Sequence, residues 1–171
     1  MKRTIILSLL SVSLWADIGN IFSFEADFDQ KITDDQNKTI EYKGHVIATK
    51  PQFAVWRYTS PIKKEVYIAS YKLIMIEPDL EQVIMKRIDS KFDIFALIKN
   101  AKKVKEDEYL AHYRDTTFLI KLQNDKISEI SYRDEFDNKV IIDFSHQKQN
   151  QKVDMKNFIP VIPDDYDIIR G

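Results

Sequence analysis

Between residues 22 and 32, Phe22, Phe24, Ala26, Phe28 and Ile32 fall at every second position, with Gln30 as the one polar interruption. Ser23, Glu25, Asp27, Asp29 and Lys31 stand between them, all polar. Period-two alternation predicts a β-strand with one dry face and one wet face. "EYKGHVIATKP" and "AVWRY" predict the next two strands, hinged at Pro51, after a polar turn at "DDQNKT". "KEVYIAS" and "KLIMIEP" are short apolar strands separated by Ser70 and Tyr71. From Glu108 onward, "EYLAHYR", "TTFLIKLQ", "KISEISYRD" and "KVIIDFSHQKQ" predict a meander, with turns at "QNDK" and "DEFDN" where Asp125 and Asn138 suit the backbone.

Two segments break the alternation. Asp89 to about Lys103 carries Phe92, Phe95, Ala96 and Lys99 at three-four spacing, flanked by Ile98 and Lys102. That spacing predicts an amphipathic helix, which Asp89 or Ser90 can cap. A shorter helix is expected from Asp17 to about Ile21. Many short strands with two helical pieces imply a mainly β protein with helices (α+β), built on a strongly curved antiparallel sheet with the helices on one side. A closed barrel and a sandwich are the alternatives. Such a sheet can be an unclosed half-barrel whose concave face is covered and not filled. Periodicity alone does not separate a packed core from a covered cavity.

Composition adjusts this picture at the start of the chain. Lys2 and Arg3 precede an apolar run from Thr4 to Leu14, and Leu14-Trp15-Ala16 ends in a small residue. This is the pattern of a secretory signal peptide, too short to span a bilayer, with cleavage expected after Ala16. The expected organisation is a signal peptide at 1–16 and one domain over 17–171. Loss of Lys2 and Arg3 lowers the basic count from 26 to 24 against 27 acidic residues, a net charge of −3. That balance gives no basis for nucleic-acid binding. Cysteine is absent, so stability rests on burial, and no residue can carry a lipoprotein's own lipid anchor.

Candidate chemistry is sparse. His45, His112 and His146 are far apart in the chain and lack metal-ligand spacing. No serine lies in a nucleophile elbow and no thiol exists. Gly19, Gly44 and Gly171 are the only glycines, too few for a phosphate cradle. The acidic groups Glu77/Asp79/Glu81 and Asp164/Asp165/Asp167 read as solvated turns and not as calcium loops. Asn37 stands in an N-x-T acceptor pattern, which here reads as a polar turn. The expectation is therefore no enzyme, no metal and no cofactor.

Ordered motifs supply a resemblance. Phe24-Glu25-Ala26-Asp27-Phe28-Asp29-Gln30 matches F-x-A-x-F-x-Q, and Gly44 to Lys50-Pro51 matches G-x-x-x-x-x-[KR]-P, with Trp56 five residues on. Pro61, then Pro78, Leu80, Gln82 and Val83, then Asp134, Asn138 and Phe144, then Phe158, Pro163, Asp167 and Ile169 follow in the same order. In these motifs the chain resembles the periplasmic outer-membrane lipoprotein carriers, the LolA family. The resemblance implies a soluble periplasmic monomer with a helical lid over an apolar cavity. It implies that the acyl chains of lipoproteins are accepted from an inner-membrane ABC transporter and delivered to the outer membrane, where a receptor can take them. By the same resemblance Phe24, Ala26, Phe28, Trp56, Leu73 and Met75 line the cavity, and Phe92, Phe95 and Ala96 belong to the lid. Lys50 stands where many members carry an arginine that latches the lid shut. The alternatives are a periplasmic binding protein for another amphiphile or lipid, and an outer-membrane receptor of similar fold.

Overall fold

The computed structural model describes residues 18–88 and 93–171. The expected signal peptide at 1–16, Asp17 and Phe92 lie outside the described residues, as do Asp89 and Ser90. Twelve strands form one sheet: β1 (Ser23–Thr33), β2 (Thr39–Thr49), β3 (Phe53–Ser60), β4 (Lys64–Ala69), β5 (Lys72–Glu77), β6 (Gln82–Arg87), β7 (Lys102–Lys105), β8 (Glu108–Tyr113), β9 (Thr116–Gln123), β10 (Lys126–Arg133), β11 (Lys139–Gln149) and β12 (Asp167–Arg170). Their order across the sheet is β12-β6-β5-β4-β3-β2-β1-β11-β10-β9-β8-β7. β7 and β12 are the two edges, so the sheet is unclosed and the barrel and sandwich alternatives fall away. Every neighbouring pair is antiparallel except β12 with β6, which is parallel.

The predicted strands form where alternation is cleanest. The polar turns work as the residue types dictate: the Asp34 and Asp134 carboxylates accept backbone N–H groups of Gln36 and Lys38, and of Phe136 and Asn138, at 2.8–3.0 Å. Asn37, Ser70, Asn124 and Asp125 take left-handed backbone angles, mostly small polar residues that tolerate them.

The helical segments are smaller than the three-four spacing predicts. The one α-helix among the described residues is α1 (Ile94–Lys99). Asp93 caps it, its carboxylate accepting from the N–H groups of Phe95 and Ala96 at 2.9 and 3.2 Å. Lys102 and Lys103, expected in the helix, belong to edge strand β7. The helix stops because Asn100 and Ala101 follow Lys99 with one further turn of hydrogen bonds, and the next residues gain a ladder against β8 instead. The expected first helix is a single 3-10 turn at Ile18–Asn20. β6, β7 and β12 lack alternating patterns long enough to announce them.

Because paired residues in antiparallel strands share a face, the register defines rows across the dry side. Phe24, Ala48, Ala54, Ile68 and Leu73 form one row over β1 to β5. Ala26, Val46, Trp56, Val66 and Met75 form the next. Phe28, Gly44, Tyr58 and Lys64 form the third. The opposite face of the same strands carries Ile47, Val55, Tyr67, Ile76 and Val83, which pack under Phe158 and the chain between β11 and β12. The N-terminal half of the sheet is thus apolar on both sides, and the two sides do different jobs.

Gly44 lets the third row close. A Cβ there would stand 2.1 Å from the Arg57 carbonyl oxygen and 2.7 Å from Phe28 Cζ, positions no side chain can share. Gly44→Ala is expected to cost about 2–3 kcal/mol through overpacking, lowering the melting temperature by roughly 5–10 °C for a domain of this size. Gly171→Ala, whose Cβ would meet Lys86 at an ordinary 3.6 Å, should leave it unchanged. Thermal melts of the two variants check both statements.

Candidate functional site

The rows differ in bulk, and the difference makes a hollow. In the Phe24 row, Ala48 and Ala54 are neighbours on adjacent strands and fill little of the space above the sheet. A cavity of about 280 Å3 lies over them. Its walls are Phe24, Val46, Trp56 and Ile68 on one side, and Phe118, Ile127, Ile130, Tyr132, Ile142 and Phe144 on strands β9, β10 and β11. Residues far apart in the strand order can face one hollow only because the sheet curves round it. α1 borders the hollow with Ile94, Phe95 and Ile98.

Ring contacts give the walls their shape. Phe24 and Phe144 meet edge to face at 5.0 Å between centroids, and Trp56 stands 6.4 Å from Phe144. Phe28 is edge to face with both Trp56, at 5.0 Å, and Tyr58, at 5.1 Å. Such arrangements hold aromatic rings beyond what burial alone supplies. α1 sits against the 3-10 turn and β8, with Phe95, Leu97 and Ile98 buried beside Ile18, Ile21 and Ala111.

Of the residues that the family resemblance assigned to the cavity, Phe24, Trp56 and Phe95 face the hollow. Ala26 and Phe28 share its side of the sheet but do not line it; they pack with Val140 and with Val46 and Ile142, the last two of which also face the hollow. Leu73 and Met75 lie in the same rows, on β5, one strand outside the wall that ends at Ile68 on β4. Ala96 is half-buried on α1 and does not line the hollow. Phe92 lies outside the described residues. The lining from β9 to β11 had only its strand alternation to announce it, and Ala48 and Ala54 matter through their smallness, which reads in sequence as an absence of signal. Lys50 lies at the α1 end, its Nζ 6.0 Å from the centroid of the Phe95 ring.

Electrostatics divide the two faces. On the wet face, His45 Nδ1 and His146 Nδ1 lie 2.7 and 2.9 Å from the two oxygens of Asp27. The two hydrogen bonds, His45 first, hold that carboxyl below the usual carboxylate range. Histidines distant in sequence therefore meet on one aspartate. Among the described residues, no group of three or more His, Cys, Asp or Glu side chains is arranged to hold a metal. Near the dry face, burial pushes the Tyr58 phenol up to about 12, with Tyr132 and Tyr42 adding to it. Burial raises Tyr132 as well. On the other face Tyr67 is pushed to about 12, by burial and then by the hydrogen bond it donates to Glu65.

Comparison with known proteins follows the same geometry. Residues 20–111 match the family described as Outer membrane lipoprotein carrier protein LolA. An outer-membrane lipoprotein carrier protein of Campylobacter jejuni is 37% identical over 171 residues, 99% of this chain and 100% of its own. One from Helicobacter hepaticus is 29% identical, covering 98% of this chain and 94% of its own. Among solved structures, a LolA superfamily protein from Nitrosomonas europaea superposes with a TM-score of 0.52 at 10% identity, covering 85% of this chain and 94% of that one. That last likeness is one of fold.

A tyrosine whose pKa is raised by folding supports the fold below its unfolded value, near 10, and withdraws that support as pH climbs through the folded value of about 12. Stability should therefore fall between pH 10 and 12, and fall less in Tyr58→Phe. Denaturation midpoints at stepped alkaline pH, paired with an ultraviolet titration that loses one late phenol in the variant, check this.

Proposed function

The chain belongs to the outer-membrane lipoprotein carrier family, LolA, and from that premise we propose that the hollow beneath α1 is where acyl chains ride. The protein is a periplasmic lipoprotein chaperone and not an enzyme. We assign its carrier domain to residues 17–171, exported by a signal peptide at 1–16. It works as a monomer that takes cargo from an inner-membrane ABC transporter and passes it to the outer membrane through a receptor. The observation that supports the acyl-chain assignment is an apolar hollow, on the dry side of an unclosed sheet, covered by one six-residue helix.

The energies are matched in scale. Each methylene left in water costs about 0.8 kcal/mol, so one long acyl chain of about fifteen methylenes costs roughly 12 kcal/mol. A lipoprotein with several such chains cannot cross an aqueous space bare. The hollow of about 280 Å3 is at the low end of small-ligand pockets, about 300–1,000 Å3, and too small for that cargo. Loading therefore requires α1 to move. Freeing α1 exposes Phe95, Leu97 and Ile98, at about 1.5–3 kcal/mol each, roughly 5–9 kcal/mol together. One acyl chain offsets that, so cargo can replace the helix while the empty protein stays shut.

Lys50 is the proposed latch. Its ammonium beside the Phe95 ring supports that role through a cation–π attraction, worth about 0.5–1 kcal/mol at an exposed site. Lysine lacks the planar fork of arginine, so the closed state is held more loosely here than in arginine-bearing relatives.

Two tests address this reading. Purified protein incubated with spheroplasts should bring lipoproteins into the supernatant as a one-to-one complex, and Ala54→Leu, which fills the hollow, should release several-fold less while melting no lower. Release of none by the unmodified protein, or equal release by Ala54→Leu, contradicts it. Lys50→Arg should slow uptake of a fluorescent fatty acid in stopped flow, and unchanged uptake removes the latch.

A further inference from the structure

The dry side of the sheet changes character along the strands. Under α1 it is apolar, over Ala48 and Ala54. Two residues along β3 stands Trp56, and two further stands Tyr58, paired with Lys64 on β4 and Gly44 on β2. Lys64 Nζ lies 4.4 Å from the Tyr58 ring centroid and 5.1 Å from that of Tyr42, and these two rings meet edge to face at 5.8 Å. Gln30, in the row beyond, pairs with Tyr42. From the Ala54 row to the Tyr58 row is four residues of strand, about 13 Å.

A lysine on this side of the sheet is chemically conspicuous. Its half-buried ammonium has three donors and no acceptor, and the ring faces beside it attract the charge without accepting a conventional hydrogen bond. Burial lowers the Lys64 pKa while nearby Glu77 works against that shift. The Glu77 carboxylate already accepts a 2.6 Å hydrogen bond from Gln82. Tyr58, held protonated far above neutral pH, keeps a hydroxyl donor at the same end. Donors are thus gathered at one end of the dry side and an apolar hollow at the other, with the Trp56 and Phe28 rings between them. The complement of that surface is a molecule with acceptor oxygens at its head and hydrocarbon behind it.

We propose that Tyr42, Tyr58 and Lys64 form a collar that binds the glycerol-ester head of a diacyl lipid, its tails running past Trp56 into the hollow under α1. This rests on the carrier reading above, and it adds the direction in which the cargo lies and the group that is recognised. The ester carbonyls are the acceptors; they occur both in the diacylglyceryl group of a lipoprotein and in a phospholipid, which adds a phosphate.

The test is displacement of N-phenyl-1-naphthylamine from the full chain by three ligands: dioctanoylglycerol, dioctanoylphosphatidylglycerol and hexadecane. Lys64→Met keeps the apolar stem and removes the charge, and Lys64→Gln is the second variant should the first fold poorly. Loss of one charge-assisted hydrogen bond predicts about tenfold weaker dioctanoylglycerol binding, with hexadecane unchanged. Weakening confined to dioctanoylphosphatidylglycerol overturns the ester assignment in favour of phosphate. Equal weakening for all three ligands, or none for any, overturns the collar and leaves the carrier reading standing. Failure of the unmodified protein to bind any of them overturns both.

Discussion

The Phe28 ring pressed against the bare backbone of Gly44 is the contact on which the two halves of the sheet turn. Phe28 lies on β1, pairs with Gly44 on β2 and with Phe144 on β11, and touches Trp56 and Tyr58 on β3. One ring thus engages the strands on both sides of the sheet centre. Any side chain at Gly44 would push it away. With that ring seated, Ala26, Val46, Val140 and Ile142 pack around it, and the dry side is divided into a solid middle and a hollow end.

The hollow follows from this division and not from a failure of packing. Protein interiors tolerate few voids because unfilled space forfeits dispersion contacts. Here the space is localised over two alanines and bordered by a short helix whose own apolar residues complete the core. On the proposed reading α1 is the filler of the empty protein, and cargo would compete with it for the same surface. On the opposite face, Phe158 and neighbouring chain cover Val55 and Val83, with Arg57 donating to the Asn157 carbonyl at 3.2 Å. One face is packed under the C-terminal chain, and the other is the face to which the proposal assigns exchange.

β1 was legible in the sequence because it has a wet face and a dry face. Phe24, Ala26 and Phe28 announced β1 through polar neighbours, and "DDQNKT" and "DEFDN" announced their turns as polar stretches, in which the structure gives Asp34 and Asp134 the anchoring hydrogen bonds. β7 and β12 were not legible. All of their residues are exposed, so no burial pattern marks them, and their strand state comes from hydrogen bonding to β8 and β6. The helix was overextended because Phe95 and Ile98 do follow a helical period, while Lys102 and Lys103 continue it only by coincidence of spacing. Phe24 and Trp56, which the family motifs assigned to a cavity, lie on the lining of the hollow. The motifs could not place its floor, since Ala48 and Ala54 act by what they lack, nor the meeting of His45 with His146, which depends on β1 pairing β2 and β11 together.

The partnership of β1 with β11 also orders events in time. Phe24 pairs with Ala48 within its own neighbourhood but with Gln149 across most of the chain. A polypeptide emerges amino end first, so the side of β1 that pairs with β11 has only water for its amides and carbonyls until residues 139–149 are available. Such distant closure slows folding and leaves a sticky border in the interval. Glu25, Asp27, Asp29 and Lys31, which line the wet face in the finished molecule, are charges of the kind that disfavour edge-to-edge pairing.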